Sequence, residues 1–487
     1  MKTNEPGYIL RKAKILITLG PASREPEIVE QLLAAGANGV RINMSHGTHD
    51  EKAEDIARAR AAAQKLGLPL AVLVDLSGPK IRTGEHKSDQ PVKLETGARF
   101  IITTTPIQGD ETRVSTNYAD LSRVVKPGTR LLLDDGAIEL TVESTTDTDV
   151  ICLVVNGGLL GERKGINLPG VSLPIDSLTE KDIVDLKWAV GQNADYIALS
   201  FVRRASDCER AKSLIQEAGG TAPLVAKIEK AEAIDHLDAI IAAADGVMVA
   251  RGDLGVETSV ELVPVYQKRI IERSVRAGKM VITATQMLQS MVSSPRPTRA
   301  EASDVANAVW DGTDCVMLSN ETATGAYPVA AVSTMARIID SAETGREKPL
   351  SSTFLAGRQS GRVSRALCEA AAYAAEEMGT KVTAVFTASG LMARRLSSLR
   401  PDQRIIALTY KPGVLSELAL LWGVEPLLTQ QAHSTEEMLK HGEHSLLEAG
   451  VVEPGEMIVV MAGRLSGLGL SSSVTMFTVA GELRPTR

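Results

Sequence analysis

Charged side chains stand at the ends of two apolar runs in this sequence. Lys227 and Glu229 end "LVAKIE", and Arg251 and Asp253 follow the next run in "GVMVARGD". Because side chains alternate across a β-strand, we expect Lys227 and Glu229 to share one face, and Arg251 and Asp253 to share another. Two carboxylates on neighbouring strands suit Mg²⁺ or Mn²⁺, which bind oxygen ligands and keep positions open for substrate oxygens. The pattern predicts a divalent-metal site at Glu229 and Asp253.

Two arginines supply positive charge. Arg41 alternates with Asn43 and Ser45 along "RINMS", and Arg82 follows the Gly-Pro pair in "GPKIRTG". Cations around a two-carboxylate metal site favour phosphoryl transfer, in which catalysis is mostly positioning and neutralisation of charge. Further polar residues at the ends of apolar runs are Asp75, Ser200, Thr285, Ser319 and Glu321.

Each of these signals also has a simpler interpretation. A lone Lys-x-Glu on a strand is more often an ion pair, and "ARGD" alone is weak. Their coincidence at the ends of neighbouring strands favours a function, because buried charge is costly unless it is paired or used. His46 in "MSHG" is either a general acid or a structural histidine. His441 and His444 have the spacing of a solvated helix rather than of two metal ligands on one face.

Eight short apolar runs alternate with longer helix-like segments. The runs cover residues 14–20, 39–45, 70–76, 195–201, 224–229, 246–252, 280–286 and 315–320. The helix-like segments cover residues 24–35, 48–66, 179–191, 206–218, 231–243, 260–277, 298–310 and 326–343. Thr298 and Glu301 fit a capping box at the start of one of them. Eight strand–helix units predict a TIM barrel, in which the carboxyl ends of the strands carry the chemistry.

Two further regions depart from the barrel pattern. Short β-like runs fill residues 79–167, which predicts an inserted β-barrel domain that acts as a lid over the strand ends. A linker-like stretch at 341–353 precedes new alternating runs, which predicts a C-terminal α/β domain. The expected division is 1–78 and 168–345 for the barrel, 79–167 for the lid and 346–487 for the C-terminal domain.

Composition limits the possible functions. The chain has 487 residues, 44% of them hydrophobic and 23% charged, which is typical of a soluble globular protein with several domains. A net charge of −7 disfavours a general nucleic-acid or anionic-membrane binder. The sequence shows neither a signal-peptide core nor a membrane span, so we expect a cytoplasmic protein. Its four cysteines have no paired spacing, which disfavours disulfides and thiolate metal sites.

Longer motifs point to a family. In chain order, the stretches "RINMSHGTHDEK", "GPKIRTG", "KGINLPG", "APLVAKIEKAEAI", "VMVARGDLGVE", "TATQMLQSM" and "PRPTRAEASDVANAVWDGTDCVMLSNETATG" resemble pyruvate kinase. The resemblance is strongest over the barrel and weaker in the insertion and the last domain. It implies a homotetrameric glycolytic enzyme that moves the phosphoryl group of phosphoenolpyruvate onto ADP, with a mobile lid and a regulatory C-terminal domain.

The resemblance implies roles for the charged residues. Glu229 and Asp253 would bind Mg²⁺ or Mn²⁺, and Lys227 would neutralise the transferring group. Arg41 and Arg82 would hold phosphate oxygens with a two-pronged geometry that lysine lacks.

It also implies a place for the organic part of the substrate. The backbone amides of Gly252 and Asp253 would bind the substrate carboxylate. Thr285 would lie beside the enolate carbon, and Ser319 and Glu321 would join it in organising the water chain that protonates this carbon.

The nucleotide side follows from the same resemblance. A second Mg²⁺ would arrive with the nucleotide. The residues expected around ADP or ATP are Pro21, Asn43, His46, Arg82, Asp135 and Lys164.

Two departures from the family concern K⁺. Relatives that need K⁺ hold it at positions matching Asn43, Ser45, Asp75 and Leu76, and they usually carry Glu where this chain has Lys80 and Thr where it has Leu76. A lysine ammonium carries the same charge as K⁺, so Lys80 near Asp75 would supply that cation internally. We therefore expect no requirement for K⁺. The alternative is a plain Lys80–Asp75 ion pair without kinetic meaning.

The C-terminal domain contains a candidate anion site. Thr387, Ala388, Ser389 and Gly390 in "FTASGLMARR" follow a predicted strand and open a helix, where hydroxyls and free amides favour phosphate. In the family the equivalent loop holds the phosphate of an allosteric activator, and Arg464 is a candidate helper. A plain helix cap needs the same residues, and the sequence does not identify the effector.

Two rival functions are also compatible with these residues. A lysine on a barrel strand also suits a Schiff-base aldolase, although Lys227 beside Glu229 and Asp253 occupies a polar site that is unlike the environment of a pKa-depressed lysine. A non-catalytic metabolite sensor would use the C-terminal phosphate site alone.

Overall fold

The chain first forms three short strands separated by helices. The computed structural model describes residues 11–88, 90–171, 173–345, 362–463 and 471–480. The first elements are β1 (Lys14–Thr18), α1 (Pro26–Ala34), β2 (Gly39–Asn43), α2 (His49–Leu66) and β3 (Ala71–Asp75). Helix α2 begins at a reciprocal capping box between Thr48 and Glu51 and ends at Gly67, whose φ of 65° suits glycine. Strand β3 ends at Asp75.

An insertion of β-strands follows β3. Its elements are β4 (Val92–Leu94), β5 (Arg99–Thr103), β6 (Arg113–Ser115), α3 (Leu121–Val124), β7 (Arg130–Leu133), β8 (Ile138–Thr145), β9 (Asp149–Asn156), β10 (Gly158–Leu160) and β11 (Ile166–Asn167). Six of the strands form one sheet in the order β11-β7-β8-β9-β5-β6, and β4 pairs with β10. Single bridges from Arg82 to Gly165 and from Thr83 to Thr116 span the two edges of this sheet. The insertion thus approaches a barrel and encloses its own apolar core.

The second part of the barrel supplies five more strands. In order the elements are α4 (Glu180–Gly191), β12 (Tyr196–Leu199), α5 (Ala205–Glu217), β13 (Leu224–Ile228), α6 (Ala231–Asp235), α7 (Leu237–Ala243), β14 (Gly246–Ala250), α8 (Arg251–Glu257), α9 (Val263–Arg276), β15 (Met280–Ala284), α10 (Arg299–Asp311), β16 (Cys315–Leu318), α11 (Asn320–Ala323) and α12 (Pro328–Thr344). Short 3-10 helices cover Pro21–Ser23, Val260–Leu262 and Gln289–Val292. The predicted capping box of Thr298 and Glu301 is present at the start of α10.

The eight strands close into a parallel barrel. Their order is β1-β2-β3-β12-β13-β14-β15-β16, and β16 pairs with β1. The predicted TIM barrel is confirmed, and every predicted apolar run contains one of its strands. One detail of the sequence interpretation is wrong: Arg251 and Asp253 do not share a strand face. Strand β14 ends at Ala250, and both residues belong to α8, where side chains two positions apart point in different directions.

A C-terminal α/β unit packs against the barrel. Its elements are α13 (Arg362–Glu377), β17 (Val382–Phe386), α14 (Leu391–Ser398), β18 (Arg404–Thr409), α15 (Pro412–Leu418), β19 (Val424–Leu428), α16 (Thr435–Glu448), β20 (Met457–Gly463) and β21 (Ser471–Thr478). The sheet order is β19-β18-β17-β20-β21, with β21 antiparallel. Arg400 and Asp314 form an ion pair across the contact, at the amino end of β16. The C-terminal unit thus contacts the amino ends of the barrel strands, whereas the insertion extends from the carboxyl end of β3. No helix in the described ranges is long and apolar enough to cross a membrane.

Candidate active site

Lys227 forms the centre of a buried charge network at the carboxyl ends of the barrel strands. Its ammonium lies 2.9 Å from Glu229 Oε1 and 3.1 Å from Asp75 Oδ1, and it donates to Ser200 Oγ at 2.7 Å. Burial alone would lower the pKa of Lys227, but Asp75 and Glu229 outweigh burial and raise it above its ordinary value. The side chain is thus a permanent cation held in place by three partners.

Arg41 forms the second cation of this network. Its Nε donates to Asp75 Oδ2 at 2.7 Å, and its Nη1 donates to Thr18 Oγ1 at 3.2 Å. Burial opposes ionisation of Asp75, but Lys227 and Arg41 together lower the pKa of this carboxyl. Asp75 therefore positions both cations. Three oxygens already lie within 3.1 Å of the Lys227 ammonium, whereas Arg41 Nη2 has no hydrogen bond or ion pair among the described residues and is left for a ligand.

Glu229 and Asp253 lie close enough to repel each other. Glu229 is 1% exposed, and its Oε2 accepts the Phe201 N–H at 2.8 Å. Burial raises the pKa of Glu229, Lys227 opposes this shift, and the negative charge of Asp253 raises it further. A divalent cation would relieve that repulsion, so the pair fits a metal that takes two protein carboxylates and completes its shell with substrate and water. The described residues contain no group of three or more His, Cys, Asp or Glu that could hold a metal without such help.

Thr285 and Gly252 meet at the end of β15. Thr285 has φ of 71°, a conformation that is rare for a β-branched residue, and its Oγ1 accepts the Gly252 N–H at 2.7 Å. Arg251 is buried and stabilises this turn, because its guanidinium donates to Ala284 O at 3.3 Å and to Thr285 O at 2.8 Å. Sequence reasoning placed Arg251 on a strand face and missed this positioning contact. The sequence signal for this contact is an arginine placed directly after the apolar run "GVMVA" and before "GDLG".

Glu321 holds the end of β16 in place. This fully buried carboxylate accepts the Ser319 N–H at 2.7 Å and the Leu288 N–H at 3.1 Å. Its oxygens are thus used for backbone contacts, while Ser319 remains half-buried beside them.

Several cations surround the exposed His46. Burial lowers the pKa of His46, and the nearby charges of Arg82, Lys52, Lys80 and Arg41 lower it further. A neutral imidazole among four cations indicates a region of positive potential, which suits an anionic ligand.

The other residues predicted for the nucleotide lie at the edges of this region or in the insertion. Pro21 is exposed at the start of a short 3-10 helix. Asp135 is exposed on a turn with φ of 52°. Lys164 pairs with Asp134 at 2.9 Å, and Arg82 Nη1 donates to Arg163 O at 3.1 Å.

Lys80 does not form an ion pair with Asp75, one of the residues of the predicted K⁺ site. Both Asp75 oxygens have protein cations as partners, Arg41 and Lys227. Within the described ranges no ion pair joins Lys80 to Asp75, so the structure shows the predicted contact neither as an internal substitute for K⁺ at Asp75 nor as a plain ion pair. Asn43 Oδ1 accepts the Ser45 N–H at 3.1 Å, and Leu76 is buried after β3. Leu76 therefore lies in the apolar interior.

One contact between the insertion and the barrel was not predicted from the sequence. Glu257 Oε1 lies 2.6 Å from Lys230 Nζ and accepts from Asn167 Nδ2 at 2.8 Å. Asn167 belongs to the insertion, whereas Glu257 ends α8 directly after the Asp253 turn. The sequence offered a weak signal, since Lys230 follows "AKIE" and Glu257 ends "ARGDLGVE".

The candidate effector loop connects β17 to α14 in the C-terminal unit. Gly390 has φ of 75°, and its N–H donates to Thr387 Oγ1 at 2.9 Å. Ala388 and Ser389 are exposed. Arg464 lies outside the described residues.

The comparisons with known proteins agree along the chain. Residues 10–332 match the family model described as "Pyruvate kinase, barrel domain", and residues 365–475 match "Pyruvate kinase, alpha/beta domain". A pyruvate kinase of Clostridium acetobutylicum is 42% identical over 456 residues, which cover 93% of this chain and 96% of the relative. One of Mycobacterium tuberculosis is 43% identical over 476 residues, covering 97% and 99%.

A solved structure supports the same assignment. A pyruvate kinase from Cryptosporidium parvum superposes with a TM-score of 0.89 at 35% identity, covering 96% of each chain. These matches extend over the barrel that carries the Lys227 network and over the C-terminal unit. The chain belongs to the pyruvate kinase family.

Proposed function

We propose that this chain transfers the phosphoryl group of phosphoenolpyruvate to ADP at the carboxyl end of its barrel. The observation that carries the proposal is the Lys227 network, in which a buried ammonium and the Arg41 guanidinium share Asp75 beside the Glu229–Asp253 pair. Preorganised cations of this kind stabilise charge that develops as a phosphoryl group moves between oxygens.

Each side chain has a role that its surroundings support. Glu229 and Asp253 would hold Mg²⁺ or Mn²⁺, which when bound would neutralise charge on the transferred phosphoryl group. Arg41 would contact the phosphoryl oxygens through Nη2, Lys227 would do so by exchanging one of its three partners, and Arg82 would join them from the insertion. Because Arg82 bonds to the Arg163 carbonyl of the insertion, movement of this lid would bring Arg82 to the substrate or withdraw it.

The organic part of the substrate fits the turn at Thr285. The Asp253 amide would bind the carboxylate, and the Gly252 amide would join it by exchanging Thr285 Oγ1 for the substrate. Thr285 and Ser319 lie toward the enolate carbon, where ordered water would deliver the proton. Arg251 and Glu321 position these groups through their backbone contacts. The ADP phosphates occupy the positive region around His46, with Pro21, Asn43, Asp135 and Lys164 at its margins.

The protonation of Lys227 argues against the aldolase alternative. A Schiff-base lysine needs a neutral amine, whereas Asp75 and Glu229 raise the pKa of Lys227. We therefore expect borohydride to trap no carbonyl substrate on this chain.

The finer properties of the enzyme complete the proposal. We infer a cytoplasmic homotetramer that uses Mg²⁺ or Mn²⁺ without K⁺ and responds to a phosphorylated metabolite at residues 387–390. A capped loop with two exposed small residues at the end of β17 supports the effector site. Sedimentation equilibrium tests the tetramer.

A coupled assay for pyruvate tests the proposed activity. Phosphoenolpyruvate, ADP and Mg²⁺ should give pyruvate at a rate that depends on all three components. If phosphorylated sugars bind while no pyruvate forms with Mg²⁺ or Mn²⁺, the chain is a metabolite sensor and the proposal is wrong.

A further inference from the structure

Helix α2 carries a buried lysine that makes no hydrogen bond. Lys52 lies near the start of this helix and is 5% exposed. Its ammonium has no hydrogen bond with any residue in the described ranges, and its one ion pair there is with Asp55 Oδ2 at 3.8 Å. A buried ammonium with unused donors is costly, because nothing replaces the water that it loses. Lys52 therefore lacks the partner that its burial requires.

Asp55 is a buried carboxylate that three cations share, namely Lys52, Arg24 and Arg58. Arg24 Nε lies 3.4 Å from Asp55 Oδ1, and Arg58 Nη1 lies 3.7 Å from the same oxygen. Both oxygens of Asp55 are buried and accept no hydrogen bond from the described residues. Burial raises the pKa of Asp55, and the three cations oppose the shift. Because a saturated ion pair has its donor within hydrogen-bond distance, the long contact with Asp55 positions Lys52 without using its donors.

The other carboxylates in this part of α2 have partners of their own. Glu51 Oε1 lies 3.3 Å from Arg24 Nη1, and the second oxygen of Glu51 belongs to the capping box of the helix. Glu54 pairs with Arg58 at 2.7 Å. Neither carboxylate therefore serves Lys52.

The Lys52 ammonium lies against the loop between β2 and α2, which carries His46. A side-chain carbon placed on Gly47 would lie 3.3 Å from Lys52 Cε and 3.7 Å from Lys52 Nζ. Since glycine has no side chain, this side of the ammonium stays uncovered. Burial and Arg82 lower the pKa of His46, and the charge of Lys52 lowers it further. Lys52 therefore borders the positive region around His46.

Other positive charges repel the Lys52 ammonium. Burial lowers the pKa of Lys52, and Asp55 opposes the shift. The charges of Arg24 and Arg41 then lower this pKa further. A phosphate group against the ammonium would relieve the repulsion and accept hydrogen bonds from the unused donors. An anion on the His46 side is thus the partner that fits Lys52.

We propose that Lys52 is a binding residue for ADP, with its ammonium on a phosphate of the nucleotide and with Asp55 positioning it. The role of Lys52 rests on the proposed function, because it adds a residue to the nucleotide side of the same site. Lys52 belongs to α2, whereas Arg41, which would contact the transferred phosphoryl group, belongs to β2. A lysine binds phosphate as a point charge, so Lys52 favours a nucleoside diphosphate without selecting its base.

Calorimetric titration of the full chain with ADP in the presence of Mg²⁺ tests this contact without turnover. Lys52→Met should bind ADP at least about tenfold more weakly than the unchanged chain, because the change removes a charge-assisted contact. Binding of GDP should weaken by the same factor, because GDP carries the same diphosphate. The matched control is Lys65→Met, since Lys65 lies at the other end of α2 and pairs with Glu30 at 2.7 Å. This control should bind ADP as the unchanged chain does.

A double variant separates a lost contact from a disturbed fold. Lys52→Met leaves Asp55 buried with one cation fewer, whereas Lys52→Met combined with Asp55→Asn removes both charges. The double variant should still bind ADP at least about tenfold more weakly than the unchanged chain. If the double variant regains the affinity of the unchanged chain, the weak binding by Lys52→Met comes from the disturbed Asp55 and the proposal is wrong.

The contact of Lys52 and the proposed reaction can fail separately. Unchanged ADP affinity in Lys52→Met, or a loss that is confined to ADP, would overturn the phosphate contact even if the chain forms pyruvate. Weaker binding of ADP and GDP by both Lys52 variants would support the contact even if the coupled assay detects no pyruvate, and only the proposed reaction would then be wrong. Absence of ADP binding by the unchanged chain would overturn the role of Lys52, and the coupled assay decides the reaction independently.

Discussion

The two ends of the barrel each contain a buried ion pair, and the two pairs differ in charge balance. At the amino end Arg400 and Asp314 have side chains 1% and 4% exposed, and Arg400 Nη2 donates to Gly312 O at 2.8 Å. One cation meets one carboxylate there. At the carboxyl end the cations Lys227 and Arg41 share a cluster with the carboxylates Asp75, Glu229 and Asp253.

The difference indicates which pair is structural and which belongs to a site. Arg400 and Asp314 join the C-terminal unit to the barrel, and Asp314 also accepts the N–H groups of Val281 and Trp422. Because its two charges balance and both side chains are buried, this pair offers no unpaired charge to a ligand. The carboxyl-end cluster keeps an excess of negative charge on Glu229 and Asp253, and such imbalance in a cleft is typical of a functional site.

The largest expected effect is that of Lys227→Met. If the ammonium acts on charge that develops in the transition state, kcat should fall about 10²- to 10³-fold, while the KM for phosphoenolpyruvate changes much less. Steady-state assays with Mg²⁺ measure both constants, and circular dichroism checks the fold. Near-normal turnover would remove Lys227 from the mechanism and make the two ends of the barrel alike.

Arg400→Met should affect stability instead of chemistry. The change leaves Asp314 buried without its cation, which typically destabilises a protein by about 3–5 kcal/mol. Urea unfolding should show the loss, and kcat per folded molecule should stay near the unchanged value. A large fall in kcat without a shift of the urea midpoint would show that the amino-end pair is part of the catalytic machinery.

Most of the architecture was predictable because the barrel strands are buried on both sides. Parallel strands of this kind appear as nearly continuous apolar runs, and each run ends in the polar residue that faces the cleft. Lys227 with Glu229, and Asp75 at the end of β3, could be read from this pattern. The end of β14 could not be read in the same way, because the strand stops at Ala250 and α8 begins at the next residue, Arg251, with no loop between them.

Partner choice could not be predicted from the sequence. Asp75 had several possible cations, and Lys80 was the nearest along the chain. In the fold Arg41 and Lys227 reach Asp75 from β2 and β13, on either side of the β3–β12 pair. The contacts of Arg251, Glu321 and Arg400 were missed for the same reason, since each joins segments that only the closed barrel or the docked C-terminal unit brings together.

Ser389→Glu examines a third region, where a ligand would meet hydroxyls and amides instead of a buried ion pair. A fixed carboxylate beside the start of α14 should repel a phosphorylated effector. Sugar phosphates should shift the substrate saturation curve of the unchanged chain, and this shift should disappear in the variant. If no sugar phosphate or nucleotide ever shifts that curve, the loop is only a helix cap.

The smallest expected effect is that of K⁺ on the unchanged chain, and it tests whether the carboxyl-end cluster already contains the cations it needs. Arg41 and Lys227 occupy both oxygens of Asp75, and Lys80 contributes positive charge near His46 without contacting Asp75. We therefore expect substantial activity with Mg²⁺ in buffers free of K⁺ and NH₄⁺, and little stimulation when K⁺ is added.

Lys80→Glu should lose most of this activity and regain part of it with K⁺, because the new carboxylate attracts the ion. The buried Leu76 limits the recovery. Lys80→Met is the matched control, since it removes the charge without creating a ligand and should gain nothing from K⁺. An unchanged chain that stays inactive until K⁺ is supplied would show that the protein cations do not replace the ion.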